Sequence, residues 1–309
     1  MTTATPEQGE LGPPGRQALR MFMRNRAAVF GVILLTGIIF MTLFGSFFYD
    51  QDPARIIARP LQGPGEGDAP AFGTDYLGRD VLAGVVNGGT TSLTVALVAV
   101  LLVVLIGVTI GALAGYYGGW VDTLLMRFTE IFQVLPALLF AMVIVALFEP
   151  STRTVAIAIG LASWPQTARL TRAEFLRLKN LEFVKAARAI GASDFRIIWR
   201  VIFPNALPPL IVAITLVMGA AILFESGLAF LGLGDPNSQS WGQMIGLNRQ
   251  TFLNGWWTVT FPGLAIFATV LSFNLVGEGV RDALDPRTAL ARTGVGPARA
   301  AARATSGRS

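Results

Sequence analysis

The chain has 309 residues, 53% hydrophobic and only 14% charged, with a net charge of +5 and a mean hydropathy of +0.58; a soluble domain carries about 25% charged residues, so the deficit points to the bilayer. It contains no histidine and no cysteine, which excludes disulfides, thiolate or imidazole metal sites, histidine-ligated haem, and Ser-His or Cys-His catalysis. In such a chain positive charge reports topology before it reports a ligand, and no nucleic-acid partner is expected.

Uncharged runs set the predicted elements in chain order. They cover 27–49, 81–121 with an apolar heart near 93–114, 131–148, 154–168, 201–224 and 250–277. A spanning helix needs about 20 mostly apolar residues, so six transmembrane helices are expected, the fourth being short unless its helix continues past its charges. The first run is too long for a signal-peptide core and reads as a retained span. With the N-terminus inside, only Arg55, Arg59, Arg79, Arg153 and Arg249 of the 24 basic residues fall outside, so both termini are expected to be cytoplasmic. Between the first two spans, about 50–89, the stretch RPLQGPGEGDAPAFG reads as irregular chain. The last twenty or so residues, rich in Ala, Arg and Gly, read as a disordered tail weakly drawn to anionic lipid.

Within the spans, Gly107, Gly111 and Gly115 share one helical face and predict a close helix contact, within this chain or with a second transmembrane subunit. Pro136 and Pro165 predict kinks in spans three and four. Trp256 and Trp257 fit an outer interfacial belt and Trp120 an inner one. Three carboxylates near the membrane are candidates for a transport pathway or gate, Glu130 and Glu225 foremost, with Glu278 beside them; interfacial placement, or pairing with Arg127, Arg249 or Arg281, is the simpler alternative.

No energy source is visible. The only lysines, Lys179 and Lys185, follow Leu178 and Val184 rather than the glycine of a phosphate-binding loop. Carboxylates deep in the spans, internal repeats and paired carboxylates in apolar surroundings are not evident either, so the chain reads as no enzyme, and a partner is expected to supply the energy.

The segment 182–208, EFVKAARAIGASDFRIIWRVIFPNALP, is the most patterned polar stretch. Phe183, Ala187 and Ile190 fall on one face of a predicted helix, with Lys185 and Arg188 elsewhere around the turn. Ala186 and Ala187 keep it slim, Gly191 suits a left-handed helix end, and Ser193 has the chemistry of an N-cap, with Asp194 in the positive end of the next helix dipole. By itself this pattern is an amphipathic helix at the inner face, suited to lipid, to packing within the chain or to a partner.

The spacing AA-x3-G at Ala186, Ala187 and Gly191, followed by VIFP ending at Pro204, resembles the EAA loop of permease subunits of bacterial ABC importers, with Lys185 in place of the leading glutamate. FGTDYLGRDVLAGVVNGGTTSL (72–93), ESGLAFLGLGDPNSQSWGQMI (225–245) and NRAAVFGVILL (25–35) resemble the C-type subunits of oligopeptide and dipeptide permeases, in order, over about residues 20 to 287. The resemblance implies an all-α membrane protein of the MetI-like ABC importer permease fold in the bacterial cytoplasmic membrane. Its organisation would be a cytoplasmic N-terminal tail at 1–26, a first helix and extracytoplasmic loop at 27–89, a five-helix core at 90–287 and a tail at 288–309. It implies a homologous second permease subunit, two cytoplasmic ABC ATPases that bind ATP and Mg, and an extracytoplasmic substrate-binding protein; this chain itself would hold no cofactor. The ATPase-docking residues would be Phe183, Lys185, Ala186, Ala187, Arg188, Ile190, Gly191, Ser193 and Pro204. Peptides are the expected substrate, with nickel, opine or sugar as alternatives within the same class, and a self-contained secondary carrier or channel as the alternative outside it.

Overall fold

The structure, a computed structural model, describes residues 14–284, with side chains from residue 19 onward. The expected tail at 288–309 and most of the N-terminal tail lie outside the described residues. Those described are helical with no strand; two isolated backbone bridges, Ile56 with Arg79 and Thr74 with Asp80, pin the long loop.

A short helix α1 (Pro14–Arg24) leads into α2 (Arg26–Phe48), where the Asn25 side chain accepts from the N–H groups of Ala27 and Ala28 and closes the helix start. Asn25 also donates to Asp282 across the bundle at 3.1 Å. The loop that follows is irregular, as expected, but ends earlier: Asp80 caps the next helix through the N–H groups of Leu82 and Ala83, so α3 (Val81–Tyr117) begins at 81 rather than near 90. At about 1.5 Å per residue its 37 residues run to ~55 Å, well beyond a ~30 Å hydrocarbon core.

The third predicted span departs most from a single straight helix. It is a bent pair, α4 (Gly119–Val134) and α5 (Ala137–Leu147), meeting at 80°. Proline cannot donate a backbone hydrogen bond and pushes its predecessor out of helical geometry; Leu135 is extended (φ −83°, ψ 134°) immediately before Pro136. A kink was the expectation, and a break is what forms. Helix α6 (Thr152–Lys179) passes through Pro165 without interruption and runs beyond Arg169 for three further turns, so the short fourth run is the apolar part of a 28-residue helix.

After α6 come the short helices α7 (Glu182–Ala189) and α8 (Asp194–Arg196), a wide π-helical stretch at Ile197–Ile202, α9 (Phe203–Phe230), α10 (Trp241–Asn248) and α11 (Trp257–Leu284). By length and composition α2, α3, α8 with α9, and α11 can each cross a membrane, and the bent pair would make five. Helix α6 has the length but carries charges in its second half.

The three glycines on α3 explain how it meets α6. A Cβ on Gly107 would come within 2.9 Å of the Trp164 carbonyl and of Thr167 Cβ; on Gly111 it would collide with the Ala168 carbonyl and lie 2.6 Å from Thr171 Cβ; on Gly115 it would lie 2.7 Å from the Arg172 carbonyl and Phe175 Cβ. The glycine face is therefore a contact within the chain, where absence of side chains lets two backbones touch. At the end of this seam Arg172 donates from Nε and an NH2 group to both oxygens of Asp122, at 2.5 and 2.6 Å, fixing α4 to α6. Helices α2 and α11 are matched as closely, with Ala28 fully buried against Gly279 and Gly31 facing Leu275.

Two apolar cores result. The larger joins α2, α3, α5, α6, α9, α10 and α11; the smaller, built on Val108, Ala112, Tyr116, Phe175, Leu178, Val184, Ile197, Ile198 and Ile202, lies under the α7–α8 segment. Trp257 belongs to the larger core rather than to an exposed belt: it is 7% exposed and its indole N–H donates to the Thr74 carbonyl at 3.0 Å. Its neighbour Trp256 and the distant Trp120 are exposed.

Candidate functional site: an exposed loop and a cavity at a broken helix

Residues 182–200 form a bracket at one end of the bundle. Helix α7 is anchored by Val184, which is buried against Phe175 and Leu178, and the following stretch by Ile197, Ile198 and Ile202. What projects is the other face: Ile190 is 86% exposed and Phe195 73%, with Phe183 also uncovered and Ala187 half-buried. The predicted apolar face of Phe183, Ala187 and Ile190 is therefore left open, while Val184 holds the helix down. Ala186 and Gly191 are likewise exposed, and nothing lies within 4 Å of a Cβ built on Gly191. Gly191 has φ +79°, the left-handed geometry its position requires, and the N–H groups of Gly191 and Ala192 close back onto the Arg188 and Ala187 carbonyls.

One detail differs from the sequence expectation, and two add to it. Ser193 occupies the N-cap position in extended geometry, yet its side chain makes no capping bond; the first turn of α8 is instead held by Asp194, which accepts from the Tyr116 hydroxyl at 2.5 Å. Lys185 pairs with Glu182 at 2.9 Å, both exposed, an i,i+3 pair of the kind that contributes little to stability. Pro204 does not border the exposed turn; it stands at the start of α9, directly after the π-helical stretch Ile197–Ile202.

A cavity of about 500 Å3 opens at the break between α4 and α5. Phe132, Pro136, Pro165 and Phe224 give it apolar walls, and Gln133, Ser163, Gln166 and Arg169 give it polar ones. Sequence reasoning missed this lining; the signal was the coincidence of Pro136 with the polar residues Gln133 and Gln166 in otherwise apolar runs.

Neither candidate carboxylate lines that cavity. Glu130 is exposed and paired with Arg127 at 2.9 Å. Glu225 is 2% exposed and faces the hydroxyls of Ser240, Ser92 and Ser226. Two of these are held from behind: Ser92 Oγ accepts from the Trp241 N–H and Ser240 Oγ from the Gln243 N–H, both at 3.3 Å, which leaves their protons free for the carboxylate. Glu225 thus joins α9, α3 and the start of α10 at the end of the bundle remote from the loop. Trp241, fully buried, adds a donation from Nε1 to the Val85 carbonyl at 2.8 Å. Beside it, Asp235 accepts from the N–H and hydroxyl of Thr152 at 3.0 and 2.8 Å and so ties the turn after α9 to the start of α6. Burial would push the Asp235 carboxyl up, but donations from Asn237, Thr152 and Ser238 outweigh it and hold it below the usual carboxylate value.

Glu225→Leu should strand hydroxyls that have no water to turn to, at about 1–3 kcal/mol per unsatisfied group. The purified protein should melt several degrees lower in a thermal unfolding scan, whereas Glu225→Gln, which keeps an acceptor oxygen, should stay near wild type. Equal melting of Leu and Gln variants would count against the clamp.

The sequence profile described as binding-protein-dependent transport system inner membrane component matches residues 107–290, and that of the N-terminal TM domain of oligopeptide transport permease C matches residues 13–64. The chain is 42% identical over 280 residues to the dipeptide transport system permease protein DppC of Escherichia coli K12, covering 89% of this chain and 93% of that one. It is 40% identical over 276 residues to the protein of the same name from Alkalihalophilus pseudofirmus, covering 89% and 90%. Among solved structures, an inward-facing conformation of the MetNI methionine ABC transporter superposes with a TM-score of 0.56 at 17% identity, covering 65% of this chain and 97% of that one.

Proposed function

Because this chain belongs to the family of binding-protein-dependent transport system inner membrane components, we propose that it carries dipeptides or short oligopeptides through the cytoplasmic membrane as one permease subunit of an ATP-driven importer. It is a non-catalytic, all-helical membrane subunit of an ABC transporter. In the proposed assembly a homologous second permease completes the pathway, two ATPases hold ATP and Mg, and a binding protein delivers substrate from the other side. We place the 182–200 loop and both termini in the cytoplasm and count α6 as a sixth crossing, because the basic residues gather on that side and the helix is long enough.

The observation that carries this reading is the exposed loop. A partner that works by closing and opening must grip something rigid, slim and uncovered. Here Ile190 and Phe195 project from a bracket whose other side is buried in the smaller core, so a push on the exposed face moves the helix ends beneath it rather than bending a flexible loop. An exposed apolar pair of this kind also marks a surface that a partner covers. The cavity at the α4–α5 break gives the chain's share of a route: it is lined by side chains from α4, α5, α6 and α9, with glutamine and serine to meet peptide groups and Arg169 to meet a carboxylate. Docking through the loop drives the cycle, and the ATP chemistry stays with the partners.

The test is uptake. The permease, co-purified with its second subunit and ATPases and placed in liposomes with the binding protein, should import a labelled dipeptide only when ATP is present inside. Absence of ATP-dependent import for di-, tri- and tetrapeptides alike would overturn the peptide reading.

A further inference from the structure

Tyr116 stands one residue from the end of α3 and is 3% exposed, its ring packed in the smaller core. A phenylalanine would fill that space equally well, so the hydroxyl needs its own account. It donates to Asp194 at 2.5 Å and accepts from an Arg188 NH2 group at 3.4 Å. Arg188 and Asp194 lie three residues before and three after Gly191, on the two limbs of the exposed bracket. The ring is flanked as well, by the Arg188 guanidinium at 5.8 Å and the Lys179 ammonium at 5.9 Å from its centroid. Among the described residues these are the only side-chain hydrogen bonds that join the bracket to another helix, and that helix is α3, which is not its neighbour in sequence.

We propose that Tyr116 is a positioning residue: its hydroxyl closes the bracket around Gly191 at a fixed angle and binds it to α3, so that displacement of the loop by the ATPases moves α3 and not the Gly191 turn alone. The inference rests on the importer reading and adds to it a path of force. Apolar contact through Val184 and Ile197 allows sliding; a hydrogen bond to each limb does not. Without the hydroxyl the left-handed turn, which has open space around it, becomes the softest element between the docked face and the span.

The measurement is the number of ATP molecules hydrolysed per dipeptide imported by the complete reconstituted complex. Tyr116→Phe should raise that ratio about tenfold, the factor equivalent to ~1.4 kcal/mol. Asp194→Ala, which removes one of the two bonds and leaves that from Arg188, should raise it by a smaller factor, and the double variant should be no worse than Tyr116→Phe alone, because the Asp194 bond is already lost there. A merely structural role would lower uptake and substrate-stimulated hydrolysis together and leave the ratio unchanged, and that result overturns the proposal. Should Tyr116→Phe fail to assemble, Asp194→Ala decides alone, since Asp194 is exposed and its loss leaves no cavity. A wild-type complex that hydrolyses ATP without importing peptide sinks the importer reading; a coupled wild type with an unchanged ratio in both variants sinks only the brace.

Discussion

Gly191→Pro should reduce ATP-driven dipeptide import about tenfold or more, while the permease still reaches the membrane in normal amount. Proline fixes φ near −65°, and Gly191 stands at +79°. The substitution cannot be accommodated by a small shift, because the Gly191 N–H also donates to the Arg188 carbonyl and proline has no such donor. The turn must open, and α7 and α8 then lose the relation that presents Ile190 and Phe195 together. The rest of the fold should tolerate the change, since nothing lies within 4 Å of the new side chain's first atom and the position is at the surface. Gly191→Ala provides the graded comparison: a β-carbon in left-handed geometry costs roughly 1–2 kcal/mol, so import should fall partially. Transport assays paired with immunodetection of the membrane fraction check both. Wild-type import by the proline variant would remove the loop from the coupling path.

Gly111→Leu should have the opposite signature: little protein in the membrane, and none of it assembled. The Cβ alone would collide with the Ala168 carbonyl and press on Thr171, and those atoms are backbone and a buried side chain of a packed helix, unable to swing away. Over-packing of a core typically costs about 1–3 kcal/mol even where neighbours can adjust. Here a four-carbon side chain must separate α3 from α6 along the whole seam from Gly107 to Gly115, and the Asp122–Arg172 pair at its end would be pulled apart with it. Expression yield and thermal stability in detergent report the loss; a variant that purifies and melts like wild type would show that the two helices do not rely on this contact.

The apolar spans were legible because charge is so costly in lipid that its absence draws their borders: the first run, 27–49, became α2 at Arg26–Phe48. The glycine face of α3 was legible for the same kind of reason, since small residues four apart leave few alternatives to close packing. Reading runs fails where a helix continues into water, as α6 does past Arg169, because counting stops at the first charge while backbone hydrogen bonding does not. It also fails for angles: Pro136 announced a disturbance, but whether a proline kinks a helix or breaks it depends on what fills the gap, and here Phe132 stacks edge-on against Phe140 and Trp164 across it. For Glu225 the sequence offered proximity to the membrane and an arginine as partner; the serines it faces instead were not legible, because Ser92 and Ser240 reach it from 133 residues before and 15 after. The proposed docking residues stand out by their spacing; Tyr116 does not, because its bonds to Arg188 and Asp194 depend on where the end of a distant helix lies.

The close matching of α3 to α6, and of α2 to α11, bears on how many ways the molecule can move. Helices joined backbone to backbone cannot slide or roll past one another without driving atoms into each other, so each pair behaves as a single plank. Five long helices then reduce to two planks and α9, which packs against both. A body with so few independent parts has few ways to deform, and rocking of one plank against the other is the motion that leaves both close-packed seams intact.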